Sequence, residues 1–203
     1  VAYLVAATFP YIGLKKEMNL LPIFLLPYIA LLFLILLRTH KDTRVEDVAM
    51  VFMMSIGIPL SLSSAIYLRD NNGYTMGLFY LLLALCCAWY SDTGAYFVGR
   101  AWGKHKLCPQ VSPHKTVEGL VGGLVTCILL NLLTAFIFQK VSGYLGVPLQ
   151  INYLRLLLIS PLASLISVLG DLSFSMIKRG FSIKDFGNIM PGHGGVLDRF
   201  DSV

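Results

Sequence analysis

The sequence predicts an all-α membrane protein, a polytopic bundle of about six transmembrane helices. Three observations predict it: long uncharged apolar stretches, a charge content of 13%, and 56% hydrophobic residues. A soluble globular domain carries about 25% charged residues, so roughly half the usual charge is present. Lipid explains the deficit, because each charge in a bilayer must be sheltered or placed at an interface. The mean hydropathy of +0.72 agrees.

A hydrocarbon core is crossed by about 20 apolar residues in helical form. Leu20–Leu37, Val48–Leu68 and Gly119–Gln139 carry no charge and come close to that length. Tyr74–Gly99 is long enough but contains Asp92, and Leu156–Ile177 contains Asp171. Val1–Leu14 is short and is expected to be the remnant of a longer first span, because the sequence opens on Val1 rather than Met and stops at Val203 just after a charged cluster. In order these are spans A to F. Pro22, Pro27, Pro59 and Pro161 fall inside or beside them, where neighbouring helices can satisfy freed carbonyls. One membrane domain over 1–203 is expected, with N-terminal spans in 1–70 and the chemistry-bearing spans and loops in 71–203.

Alternating sides then fixes orientation. Eleven of the 16 Lys and Arg residues fall on one side, around Arg38–Arg44, Arg100–Lys115 and Lys178–Arg199. The richer side is expected to be cytoplasmic, which brings the D–E loop and the segment after span F together there. The net charge of +5 is modest and no basic-aromatic stripe is present, so a nucleic-acid partner is not expected. Cys86, Cys87, Cys108 and Cys127 show no C-x-x-C spacing, and read as small apolar fillers rather than zinc ligands or a disulfide framework.

Asp92 and Asp171 interrupt apolar spans, each toward the cytoplasmic end. An ionised carboxylate costs a few kcal/mol at a helix centre, so such residues face protein or water and suit a cation site; a carboxylate merely reaching the interface is the simpler alternative. Beyond span F, Pro191-Gly192-His193-Gly194-Gly195 precedes Asp198 and Asp201. Glycines let backbone N–H groups converge on an anion, and a following helix N-terminus adds positive charge. Asp198 and Asp201 would share a helix face. Lys178, Arg179, Lys184 and Asp185 stand just upstream. Acidic metal ligands beside basic phosphate clamps are what phosphoryl or nucleotidyl transfer requires. His193 reads as a ligand, a proton shuttle or a turn residue, with the structural role favoured; His40 and His105 read as interface residues. In Ser112-Pro113-His114-Lys115-Thr116-Val117-Glu118-Gly119, Thr116 or Ser112 can cap span E, and Lys115 with Thr116 can grip a phosphate. The glycines of a P-loop are absent.

The 27 positions Ser175–Asp201, containing Lys178-Arg179, Lys184-Asp185 and Pro191-Gly192-His193-Gly194-Gly195-Val196-Leu197-Asp198-Arg199-Phe200-Asp201, resemble the signature of phosphatidate cytidylyltransferases, also called CDP-diacylglycerol synthases. Met190 stands where that family usually has Leu, Ile or Phe. Ser91-Asp92-Thr93-Gly94-Ala95-Tyr96-Phe97-Val98-Gly99-Arg100, continued by Ser112–Thr116, also resembles the family, although Val117 replaces a common aromatic. The resemblance implies formation of CDP-diacylglycerol and pyrophosphate from CTP and phosphatidate with Mg²⁺. It also implies a further membrane helix beyond the signature and a lateral opening for the lipid, whose tails do not leave the bilayer cheaply. On that reading Asp171, Asp198 and Asp201 hold metal, with Lys184 and Asp185 beside the reacting groups. A second cation would stand about 3.5–4 Å from the first. Asp92, Lys115, Thr116, Lys178, Arg179, Gly192, His193, Gly194, Gly195 and Arg199 bind substrate. The expected membrane is the bacterial inner membrane, and a homo-oligomer is left open. Rival readings are a CTP-dependent polyprenol kinase, an archaeal-lipid cytidylyltransferase and, in another class, a cation transporter using Asp92 and Asp171.

Overall fold

The computed structural model describes residues 21–39, 43–183 and 185–187. Among the described residues five helices follow in order: α1 (Leu21–Arg38), α2 (Val45–Asn71), α3 (Tyr74–Trp102), α4 (Val117–Tyr144) and α5 (Tyr153–Gly180). Between α3 and α4 lies a hairpin of β1 (Lys106–Cys108) and β2 (Ser112–Thr116). Spans B to F are therefore helices, each within a few residues of its expected bounds. Four of them, α2 to α5, are long and apolar enough to cross a membrane, and α1 is a shorter apolar helix. Span A lies outside the described residues. The helices overrun the apolar stretches because a helix continues through the polar interface until its carbonyls find other partners.

The chain divides into two compact units, Val1–Gly77 and Leu78–Val203. In the first, α1 meets α2 through a buried hydrogen bond between Tyr28 Oη and Ser55 Oγ of 2.5 Å, beside the stacked rings of Tyr28 and Phe52. Asp47 accepts the Arg44 N–H at 3.1 Å and so closes the start of α2.

The second unit is inside out by the standards of a soluble protein. Its buried residues include Ser91, Asn131, Ser160, Ser164 and Ser167, whereas Leu129, Leu133, Ile137, Leu158, Leu162 and Ile166 are exposed. Water would not tolerate so much exposed apolar surface on consecutive helices; lipid tails would. The protein is a multi-pass membrane protein.

Small residues let the helices of this unit approach closely. A Cβ at Gly123 of α4 would stand 2.7 Å from the Ser91 carbonyl oxygen of α3, and one at Gly119 would stand 2.8 Å from that of Ala95. Polar side chains then tie three helices together. Ser91 of α3 and Ser164 of α5 share a hydrogen bond of 2.6 Å. The Asn131 amide of α4 donates to Cys87 Sγ of α3 at 3.0 Å, to Cys127 Sγ at 3.3 Å and to Ser160 Oγ of α5 at 3.4 Å. Cys86, Cys87 and Cys127 are buried, Cys108 is half-buried, and all four are free thiols. Tyr90 and Thr134 add a bond of 3.0 Å.

The α4–α5 connection is short, residues 145–152. Tyr153 donates to Gln139 at 2.5 Å and Gln139 donates to the Leu149 carbonyl at 3.0 Å, so α4 and α5 run antiparallel. After α5 the backbone turns through Ser182, at φ 54°, and the amides of Phe181, Ser182 and Ile183 return to the carbonyls of Ile177, Arg179 and Lys178. A side chain at positive φ is strained by about 1 kcal/mol. Ser182→Gly is therefore expected to raise the detergent unfolding temperature by about 1–3 °C, read by differential scanning fluorimetry.

Candidate functional site

Two helix ends and the hairpin build the site. β2 pairs antiparallel with β1, Lys106 opposite Thr116 and Cys108 opposite Ser112, with an irregularity between Lys106 and Cys108. Thr116 ends β2 and caps α4: its Oγ1 accepts the Gly119 N–H at 3.1 Å. This is the capping role read from the sequence. Thr116→Ala is expected to cost about 1 kcal/mol, whereas Thr116→Ser keeps the cap, and thermal unfolding in detergent separates the two.

Glu118 fixes the other side of the hairpin. Its carboxylate accepts the backbone N–H groups of Lys104 and His105 at 3.1 Å each and meets His105 Nδ1 at 2.6 Å. The Val117 amide donates to the His105 carbonyl at 2.9 Å. A three-residue strand opposite a five-residue one is otherwise marginal, so these bonds to the first turn of α4 are what hold β2 in place. His105 is thus part of the hairpin's anchorage rather than only an interface residue.

With β2 held, Lys115 reaches α5. Its ammonium forms an ion pair with Asp171 Oδ2, and 24% of each side chain remains exposed. The Nζ atom itself is fully buried, so the pair is shielded from water at the ammonium end. Ser175, one turn along α5, donates to the other oxygen, Oδ1, at 3.4 Å. Asp92 of α3 lines the same cleft. The cleft has a volume of about 310 Å³, at the lower edge of small-molecule pockets, and its polar lining includes Asp92, Tyr96, Ser112, His114, Lys115 and Asp171.

Four sequence-predicted residues therefore meet: Asp92, Lys115, Thr116 and Asp171. Lys178 and Arg179 lie in the last turn of α5, outside this lining, and the Lys178 ammonium sits 5.4 Å from the centre of the Phe186 ring. Phe186 in turn meets Phe174 edge-on at 5.9 Å, which folds the segment after α5 back along that helix. Asp185 is exposed on that segment. Lys184, Gly192, His193, Gly194, Gly195, Asp198, Arg199 and Asp201 lie outside the described residues.

Sequence reasoning overlooked Tyr96, Ser112 and His114 as lining residues. Tyr96 carried a usable signal, since it lies four residues after Asp92 and shares its helix face. Among the described residues, no cluster of three His, Cys, Asp or Glu side chains could hold a metal alone. Two carboxylates on one cleft are nevertheless the donor type for Mg²⁺, which takes one or two carboxylates and completes its shell with water and substrate phosphates.

A family model described as the cytidylyltransferase family matches residues 1–203. The chain belongs to that family. Among curated relatives, the phosphatidate cytidylyltransferase of Bacillus subtilis (strain 168) is 44% identical over 179 residues, covering 86% of this chain and 62% of the relative. That of Haemophilus influenzae (strain ATCC 51907 / DSM 11121 / KW20 / Rd) is 49% identical over 127 residues, covering 63% of this chain and 42% of the relative. The enzyme of the same name from Staphylococcus saprophyticus subsp. saprophyticus is 51% identical over 126 residues, covering 62% and 45%. The chain thus spans from under half to about three-fifths of the relatives it matches. The resemblance carried by Asp92–Arg100, Ser112–Thr116 and Ser175–Asp201 is that of a true family member.

Proposed function

We propose that the protein is a nucleotidyltransferase that makes CDP-diacylglycerol and pyrophosphate from CTP and phosphatidate, working at the cytoplasmic face of a bacterial inner membrane. The observation that carries this reading is the Lys115 ammonium, buried against Asp171 in a cleft shared with Asp92, in a member of the cytidylyltransferase family. The names of the relatives supply the substrate class.

In the reaction a phosphate oxygen of phosphatidate bonds to the α-phosphorus of CTP, and the bond from that phosphorus to the bridging oxygen of pyrophosphate breaks. Both reactants are polyanions, so most of the barrier is repulsion and misalignment. Lys115 offers a desolvated ammonium with three N–H donors, of which the ion pair with Asp171 engages one oxygen, so the others are available to a phosphate oxygen. Asp171 holds that ammonium in place, and Ser175 orients Asp171. Asp171 and Asp92 are the described carboxylates that would hold Mg²⁺, with Asp198 and Asp201 proposed as further ligands. The ion, when bound, neutralises charge developing on the phosphate oxygens. Lys178, Arg179, Lys184 and Arg199 are proposed to screen the remaining phosphate charge, and the Gly192–Gly195 loop to bind the triphosphate.

The test is to incubate the purified full-length protein with CTP, phosphatidate and Mg²⁺ and analyse the products by mass spectrometry. A CDP-lipid with pyrophosphate is expected. Release of CDP with a newly phosphorylated lipid would make it a kinase, and cation uptake into vesicles without CTP would make it a transporter.

A further inference from the structure

Arg100 lies outside the cleft lining but touches Tyr96, which belongs to it. Asp92, Tyr96 and Arg100 are spaced by four along α3 and so form one stripe. Asp92 and Tyr96 line the cleft, and Arg100 extends the stripe one turn toward the end of α3 at Trp102. Arg100 Nη1 donates to Tyr96 Oη at 2.9 Å, and the Tyr96 ring meets Phe97 edge-on at 5.5 Å. Arg100 is exposed beside Tyr96, whereas the Lys115 Nζ is buried.

The last turns of α3 also carry large exposed aromatics, Tyr96, Phe97 and Trp102. Amphipathic rings of this kind sit at headgroup depth, which is also where the phosphate of a membrane lipid lies. A guanidinium presents five N–H donors in a planar fork that matches phosphate, and the Tyr96 hydroxyl occupies one of them. A buried cation, Lys115, thus lines the cleft, and an exposed one, Arg100, stands next to it on Tyr96.

We propose that Arg100 binds the phosphate of the lipid substrate at the mouth of the cleft, and that Tyr96 is the positioning residue that holds its guanidinium there. The proposal deepens the nucleotidyltransferase reading and rests on it. It divides the labour between cations: Arg100 takes the phosphomonoester of the lipid, whose tails stay in the bilayer, while Lys115 takes the phosphates of the nucleotide arriving from water. A basic residue in the last turn of α3 also complements the helix dipole. That role by itself would shift stability without separating one substrate from the other.

The experiment measures, for wild-type, Arg100→Ala, Arg100→Lys and Tyr96→Phe full-length protein, the KM for dioctanoyl phosphatidate and the KM for CTP separately. It adds the Kd for dioctanoyl phosphatidate without CTP, by calorimetry. Losing a charged phosphate contact is expected to raise the lipid KM and Kd of Arg100→Ala by about 10–100-fold, with the CTP KM within about twofold of wild type. Arg100→Lys should recover part of the loss, and Tyr96→Phe should raise the lipid KM by about threefold. A rise in the CTP KM instead, or unchanged lipid KM and Kd in Arg100→Ala, overturns the proposal. Wild-type protein that makes no CDP-lipid sinks the reaction assigned above; the Kd comparison still decides Arg100, for or against.

Discussion

On the proposed reaction, Lys115→Met is expected to lower CDP-lipid formation by about 10²–10³-fold while leaving the protein folded, because it would remove a preorganised charge from beside the reacting phosphates. The reasoning starts from the hairpin. Thr116 and Glu118 lock β2 onto the first turn of α4, and that geometry delivers the ammonium to Asp171. The same change leaves Asp171 without its cation. Removing one partner of a fully buried pair costs about 3–5 kcal/mol; with 24% of each side chain exposed, about 1–2 kcal/mol is expected here. Adding Asp171→Asn to Lys115→Met should return most of that stability and none of the activity. Thermal unfolding in detergent and product formation, measured on the two single variants and the double, separate the structural share of the pair from its catalytic share. Near-normal turnover by Lys115→Met would return Lys115 to a purely structural role.

The second large effect falls on the α3–α4 contact. Gly123→Leu is expected to abolish a monodisperse folded protein, since even a Cβ there would lie 2.7 Å from the Ser91 carbonyl oxygen and 3.3 Å from Ala95 Cβ. Backbone cannot give way cheaply, and overpacking in a close helix contact costs about 1–3 kcal/mol or more. Gly143, on the same helix, is the internal control. Nothing lies within 4 Å of a Cβ built there, so Gly143→Ala should be neutral or stabilise by up to about 1 kcal/mol. Size-exclusion profiles and unfolding temperatures read both. A well-folded Gly123→Leu protein would mean that α3 and α4 do not approach as described.

The membrane helices were legible because lipid imposes one simple rule, a long apolar stretch with few charges, and α2 to α5 obey it. Asp92 and Asp171 were legible as exceptions to that rule. Lys115 was legible because a lysine beside a capping threonine at a helix start has limited plausible uses. The hairpin was not. Its second strand, Ser112-Pro113-His114-Lys115-Thr116, contains a proline and no apolar alternation, and its first has three residues. Its order comes from Glu118 gripping two amides many residues earlier, a tertiary cause that no local pattern announces. The polar interior was hidden for a related reason. Ser91, Asn131, Ser160 and Ser164 dilute the apolar spans only slightly, and that they face one another depends on helix pairing. Lys178 and Arg179 show the opposite case, since their place in the signature is plain while their side chains stand outside the described cleft.

The central claim is that Lys115 and the carboxylates of α3 and α5 form one cleft in which the α-phosphorus of a nucleotide is transferred to a lipid phosphate. The most direct measurement follows isotopic label from CTP into lipid, using wild-type and Lys115→Met full-length protein with phosphatidate and Mg²⁺. Label at the α-phosphorus should enter the lipid and label at the γ-phosphorus should leave as pyrophosphate, both depending on Lys115. Label from the γ-phosphorus in the lipid, or α-label transfer indifferent to Lys115, would contradict it.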